Sequence, residues 1–211
     1  MFRPTDGTSK SFTAPAAANF LLVLHHADFG ESQTFTWNGT SLGVQVQLTT
    51  NSPASVHYLA NPSSGTHNFT LTDNGRATYA HLIWLSGVDV ANPFYDTQSV
   101  SNVSITVAGL SGGYAFDAIG KTTSAGSQLW DLIINSTGGA AYTSTSGGNV
   151  TNTWASGNNH VAVALKPKGG ANQIIHMFYD LRRRWAEHRD VIVPRGLDGP
   201  IWRPRPQVLV P

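Results

Sequence analysis

Cysteine is missing altogether from this 211-residue chain, so it holds no disulfide framework, no thiol nucleophile and no cysteine-based metal site. Charge is scarce as well. Asp, Glu, Lys and Arg supply 12% of the residues, about half the usual share of roughly 25%. A net charge of +1 excludes a globally basic nucleic-acid binder. No apolar run approaches the roughly 18 residues that a membrane-spanning helix needs. The opening MFRPTDGTSKSFTAP is polar, and the first apolar run, residues 20–24, ends in His25 and His26. A signal peptide has a basic start, a longer apolar run and a small-residue cleavage site, so no export signal is expected. The chain does have 40% hydrophobic residues, 21 glycines, 11 prolines and an excess of Ser, Thr and Asn. That mixture argues against disorder and for a turn-rich, neutral-surfaced, all-β domain.

The charge divides the chain near Gly169 and Gly170. Residues 1–170 hold 6 Lys and Arg against 8 Asp and Glu, whereas residues 171–211 hold 7 Arg against 4 acidic groups. Five of the 11 prolines also fall in the second segment. We therefore expect a β-sandwich domain over 1–168 and an anchoring helix and extended tail over 169–211.

Within the first segment, ten strands are predicted at 19–27, 42–48, 56–59, 66–71, 77–85, 103–107, 114–119, 129–134, 150–154 and 160–165. The first is almost continuously apolar, as in a strand buried on both faces. Val44 and Val46 alternate with Gln45 and Gln47, the pattern of a half-buried strand. Asn-Pro, Ser-Gly and Asn-Gly turns separate the runs. Many short strands without intervening helices predict an antiparallel two-sheet sandwich, and the jelly-roll type is preferred.

In the second segment Ile174, Met177, Phe178, Leu181, Trp185 and His188 recur at three- and four-residue steps, which predicts an amphipathic helix over 173–189. Pro194 prevents its continuation. Prolines at 194, 200, 204, 206 and 211 then impose extended, polyproline-like geometry.

The order of motifs is informative: NFLLVLHH, TWNGTSL, SSGTHNFTL, ATYAHLIWLSGVDVANPF, GYAFDAIG and HVAVALKP. Over about residues 10–168 this succession resembles a β-sandwich domain of bacterial surface proteins and bacteriophage structural proteins, similar in architecture to concanavalin-like jelly rolls. Trp37 stands where that family often has Tyr, and the basic, proline-rich C-terminal segment is an addition. The resemblance implies a non-enzymatic display or assembly module.

Residues able to carry chemistry each have two readings. Asp89 in SGVDVANP either caps its own turn through an Asx-type hydrogen bond or contributes to a Ca²⁺ or sugar site; the turn is preferred, because a hard cation needs several closely spaced oxygen ligands. Asp117 in GYAFDAIG falls in a strand and must be paired or neutral if buried, with a backbone amide as the expected partner. His25 and His26 should point to opposite faces. His57, His67, His81 and His160 match no ligand spacing such as HExxH. No nucleophile elbow or P-loop is present, so neither catalysis, cofactor nor metal is expected. Trp37, Trp84, Trp130, Trp154, Tyr58, Tyr79, Tyr95 and Tyr142 are read as core filling rather than as a sugar-stacking platform. Sequons begin at Asn38, Asn68, Asn102, Asn135 and Asn149, as chance allows in a chain rich in Asn, Ser and Thr.

With these features, the resemblance implies a bacteriophage virion structural protein, assembled in the host cytoplasm, with a capsid decoration (cement) role preferred. Its expected partners are the major capsid protein or other virion subunits and further copies of itself, a trimer among the options, with neither nucleic acid nor membrane. Phe178, Leu181, Arg182, Arg183, Trp185, Trp202, Arg203 and Arg205 are the expected partner-binding residues. The alternative is a tail- or fibre-associated carbohydrate-binding or adhesin module that holds a host glycan.

Overall fold

In a computed structural model, the described residues are 9–27, 33–49, 52–71, 78–120, 130–134, 138–170 and 174–180. Side chains at 78, 130–134, 170 and 174–180 fall outside that description. Among the described residues, apart from a 3-10 turn at Lys168–Gly170, the regular structure is all antiparallel β. The strands are β1 (Ser9–Ala14), β2 (Phe20–Ala27), β3 (Phe35–Trp37), β4 (Thr40–Ser41), β5 (Gly43–Leu48), β6 (Ala54–Ala60), β7 (Gly65–Leu71) and β8 (Thr78–Ser86). They continue with β9 (Phe94–Ser101), β10 (Ser104–Gly109), β11 (Gly113–Gly120), β12 (Trp130–Ile134), β13 (Gly138–Thr145), β14 (Gly148–Thr153), β15 (Asn159–Leu165) and β16 (Ile174–Asp180).

The described strands form four sheets. Sheet I has the order β1-β7-β3-β4, sheet II β16-β8-β2-β6-β5, sheet III β12-β13-β11-β15-β9, and sheet IV β10-β14. Alternation along each strand decides how they stack. On β2, Phe20, Leu22 and Leu24 join Ile83 and Leu85 of β8 and meet Phe116, Ala118, Val161, Val163 and Leu165 of sheet III. The intervening Leu21 and Val23, with Leu82 and Trp84, meet Phe12, Phe35, Trp37, Phe69 and Leu71 of sheet I. On the far face of sheet III, Ala115, Ala162 and Ala164 meet Ile105 and Val107 of sheet IV. The protein is thus a sandwich-like stack in which sheets II and III form the centre and a smaller sheet covers each. A strand buried on both faces must be apolar over most of its length, and β2 is, from Phe20 to Leu24; each such large side chain contributes about 1.5–3 kcal/mol.

All ten predicted strands are present within a few residues of their expected limits. Asn38 and Gly39, with φ of 49° and 77°, make the two-residue connection between β3 and β4 that an Asn-Gly pair favours. The C-terminal expectation needs correction. Residues 174–180, expected in the first half of a helix over 173–189, form β16 and pair antiparallel with β8. Their apolar positions look helical because the register shifts between Ile175 and Met177, and a bulge breaks the period of two that identifies a strand. The rest of that expected helix and the proline-rich tail lie outside the described residues.

Candidate functional site

Two motifs that are far apart in the chain meet at the end of the stack. The SGVD turn follows β8 and the ALKP segment closes β15. Asp89 N–H donates to the Lys166 carbonyl at 2.9 Å, Lys166 N–H to the Pro93 carbonyl at 2.8 Å, and Lys168 N–H to the Gly87 carbonyl at 2.8 Å. Val88 and Pro167 form an isolated bridge, and Asn19 Nδ2 donates to the Val88 carbonyl at 2.8 Å. Lys166 Nζ lies 3.1 Å from Asp89 Oδ2. The Lys166 hydrogen bond, aided by its charge and by the amides of Ala91 and Asn92, holds the Asp89 carboxyl below the usual carboxylate range. The turn-capping reading of Asp89 is what the geometry shows. Its ion-pair partner Lys166 follows β15, seven strands further along the chain and beyond the reach of any local spacing rule.

A second assembly is sealed between sheets III and IV. Asp117 projects from β11 on the face that carries Ala115 and Ile119. Its Oδ1 accepts from Asn152 Nδ2, and its Oδ2 accepts from Trp154 Nε1 at 2.7 Å and His160 Nε2 at 2.9 Å. Thr143 Oγ1 donates onward to Asn152 Oδ1 at 3.0 Å. Asp117 and His160 are both fully buried. The expected backbone partner for Asp117 is therefore replaced by three side chains: Asn152 from β14, Trp154 just beyond it, and His160 from β15. A carboxylate orienting an imidazole is one half of the arrangement used in nucleophilic catalysis. Here the imidazole Nδ1 meets no hydroxyl among the described residues, and the pair is closed off from solvent. The effect of this assembly is to pin sheet IV to sheet III.

The third assembly is made of histidines around the C-terminal end of β2. His25 and His26 do point to opposite faces. On the sheet I side, Ser55 Oγ lies 2.8 Å from His25 Nδ1 and 2.8 Å from His57 Nε2. Phe35 stacks edge-on against both rings, at 5.4 and 4.6 Å between centroids. On the sheet III side, His26 Nε2 lies 3.1 Å from His81 Nε2, with Tyr79 stacked on His26 at 5.2 Å. Burial, then the neighbouring His57 and His26, lower the His25 pKa well below its usual value. Burial lowers that of His57 to about 4. Both are neutral imidazoles at pH 7. Among the described residues no three His, Asp or Glu side chains gather as a metal site.

The aromatic set behaves as core filling for most members whose side chains are described. Trp37, Trp84, Trp154 and Tyr79 are buried, whereas Tyr95 is 49% exposed. Of the expected partner-binding residues, Phe178 stands in β16 opposite Ile83. Leu181, Arg182, Arg183, Trp185, Trp202, Arg203 and Arg205 lie outside the described residues. Compared with known proteins, the chain matches no family model, no curated protein and no solved structure.

Proposed function

We propose that this chain is a bacteriophage virion structural protein, a capsid decoration (cement) protein with a jelly-roll-type body. It works by binding rather than by catalysis, as a homo-oligomer such as a trimer. The observation that carries this reading is the contrast between the body and the C-terminal segment beyond β16. The strongest polar assemblies of the body, around Asp117 and around His25, are turned inward and sealed. The outward faces carry uncharged hydroxyl pairs: Thr13 with Thr66 at 2.8 Å on sheet I, and Thr106 with Thr151 at 2.7 Å on sheet IV. Among the described strands β16 is an edge strand of sheet II, and the sequence after Asp180 is rich in arginine and proline. The sequence motifs that resemble phage and bacterial surface sandwich domains point the same way.

In this reading, Leu181, Trp185 and Trp202 are the apolar contacts of an anchor on the major capsid protein or another virion subunit. Buried aromatics of this kind dominate binding, at about 2 kcal/mol or more each when truncated. Arg182, Arg183, Arg203 and Arg205 meet acidic rim groups and give salt sensitivity rather than most of the affinity. The test compares the full chain, a chain ending at Asp180, and Trp202→Ala for retention on purified particles stripped of the protein. Retention of the full chain with loss of the shortened one supports the anchor. Equal retention of both moves the contact to the sandwich. Binding to glycans on an array, with no retention on particles, favours the adhesin reading.

A further inference from the structure

We propose that the His25–Ser55–His57 assembly is an acid-triggered latch that releases sheet I from sheet II. The inference is independent of the virion reading. It starts from placement: both imidazoles project from sheet II into the layer occupied by Phe35 and its stacked neighbour Phe69, whose rings lie 5.5 Å apart. His25 is 1% and His57 1% exposed, and Phe35 is fully buried. A charge formed there is buried in a largely apolar layer, where taking it out of water is costly.

The hydrogen bonds sharpen the effect. One serine hydroxyl bridges both rings, and it has a single proton to give. In the neutral state one imidazole donates to Ser55 Oγ while the hydroxyl donates to the other. When both imidazoles are protonated, both must donate to Oγ, and the hydroxyl loses its acceptor. Two cations about 6 Å apart, the 6.1 Å between the ring centroids, also repel each other.

Among the described residues no compensating charge faces the pair. Behind the sheet stand His26 on β2 and Tyr79 and His81 on β8, with the two Nε2 atoms of the His26–His81 pair 3.1 Å apart. Asp180 of β16 stands opposite His81 in the register. At the margin of sheet I are His67, against Trp37, and Lys10, over Phe12. The carboxylates of Asp89, Asp96 and Asp117 are held elsewhere, by Lys166, by Ala108 and Gln98, and by His160.

The sign follows from proton binding. Released histidines take up protons near pH 6.5, whereas His57 in the closed protein does so only near pH 4 and His25 is also shifted downward. Between those values the open form binds more protons than the closed one. Falling pH therefore favours opening, by about tenfold per pH unit for each imidazole. Above pH 6.5 the pair is neutral in both forms and the dependence vanishes.

The experiment is hydrogen exchange on the full chain at steps from pH 7.5 to 4.5, expressed as protection factors to remove the intrinsic pH dependence. Protection in β1, β3 and β7 should fall by up to about 100-fold per pH unit below pH 6.5, ahead of sheet III. The double variant His25→Gln, His57→Gln should lose that slope. An unchanged slope in the variant, or flat protection in the parent chain, overturns the latch. A variant that does not fold leaves a direct measurement on the parent. Imidazole Cε1–H resonances of His25 and His57 that stay neutral at pH 5.5 in the closed protein support the proposal, and midpoints near 6.5 overturn it.

Discussion

The two small outer sheets are attached to the central pair by different physics. Sheet I is held by volume: Phe12, Phe35, Trp37 and Phe69 fill the space above Leu21, Val23, Leu82 and Trp84. Sheet IV approaches a face made of Ala115, Ala162 and Ala164, too small to fill much space, and is secured by the hydrogen bonds of Asp117. A layer of large apolar side chains relaxes in part around a lost member, which limits the cavity left behind. A buried carboxylate with three donors has no such relief, because each stranded donor pays its own desolvation cost.

The most damaging single change should be Asp117→Ala, which strands Asn152, Trp154 and His160 together and costs about 3–5 kcal/mol. Denaturant unfolding should show it as a lowered midpoint. Trp154, at 1% exposure, reports locally: its fluorescence should shift before that of the rest if the pin belongs to sheet IV. A loss under about 1 kcal/mol, the net worth of one ordinary hydrogen bond, would show that the cluster is not what secures the sheet.

Leu21→Ala comes next, at about 3 kcal/mol for a cavity in a filled layer. Its effect should be read by Trp37 and Trp84, whose rings lie 4.7 Å apart, while Trp154 stays unaffected. If both groups of tryptophans respond together, the layers unfold as one unit and the comparison dissolves.

Ala162→Val tests the opposite property of the sheet IV interface. Added methyls should overpack the narrow gap and cost about 1–3 kcal/mol, lowering the melting temperature; an unchanged or raised melting temperature would mean that the gap holds unused space. The smallest effect belongs to Asp89→Asn. It retains the turn's oxygen acceptor but removes the ion pair with Lys166, a half-exposed contact screened by salt. The melting temperature should change little, and added salt should erase the difference from the parent. Because Asp89 has its carboxyl pKa lowered in the folded state, its contribution is present at neutral pH and fades as pH falls through the carboxylate range.

Much of the fold was legible because burial imposes a period. Strands β2, β8, β11 and β15 carry apolar side chains toward a central layer, and their runs read directly as strands. Others were silent for physical reasons. Strand β9 is an edge strand whose FYDTQSVS pattern is half exposed. Strand β13 is made of Gly and Ala at its start, since a methyl at Gly138 would overlap the Ile119 carbonyl and the His26 ring. Strands β1, β3 and β4 are short and mixed, and β16 has its period broken by a bulge. Histidine positions were visible, and so was the division of His25 from His26 between two faces. That Ser55 bridges His25 to His57 was not, although His57 follows it by two positions on the same face of β6.

By itself the sequence determined an all-β, cysteine-free body poor in charge and a compositionally distinct C-terminal segment, because composition and alternation act over a few residues. The tertiary structure alone decided which strands became neighbours, that the described strands form four sheets rather than two, and that the SGVD turn closes on the ALKP segment. It also decided that Asp117 answers to His160 across 43 positions. Such pairings depend on how whole sheets stack, which no local pattern encodes, and they convert isolated polar residues into buried, hydrogen-bonded assemblies.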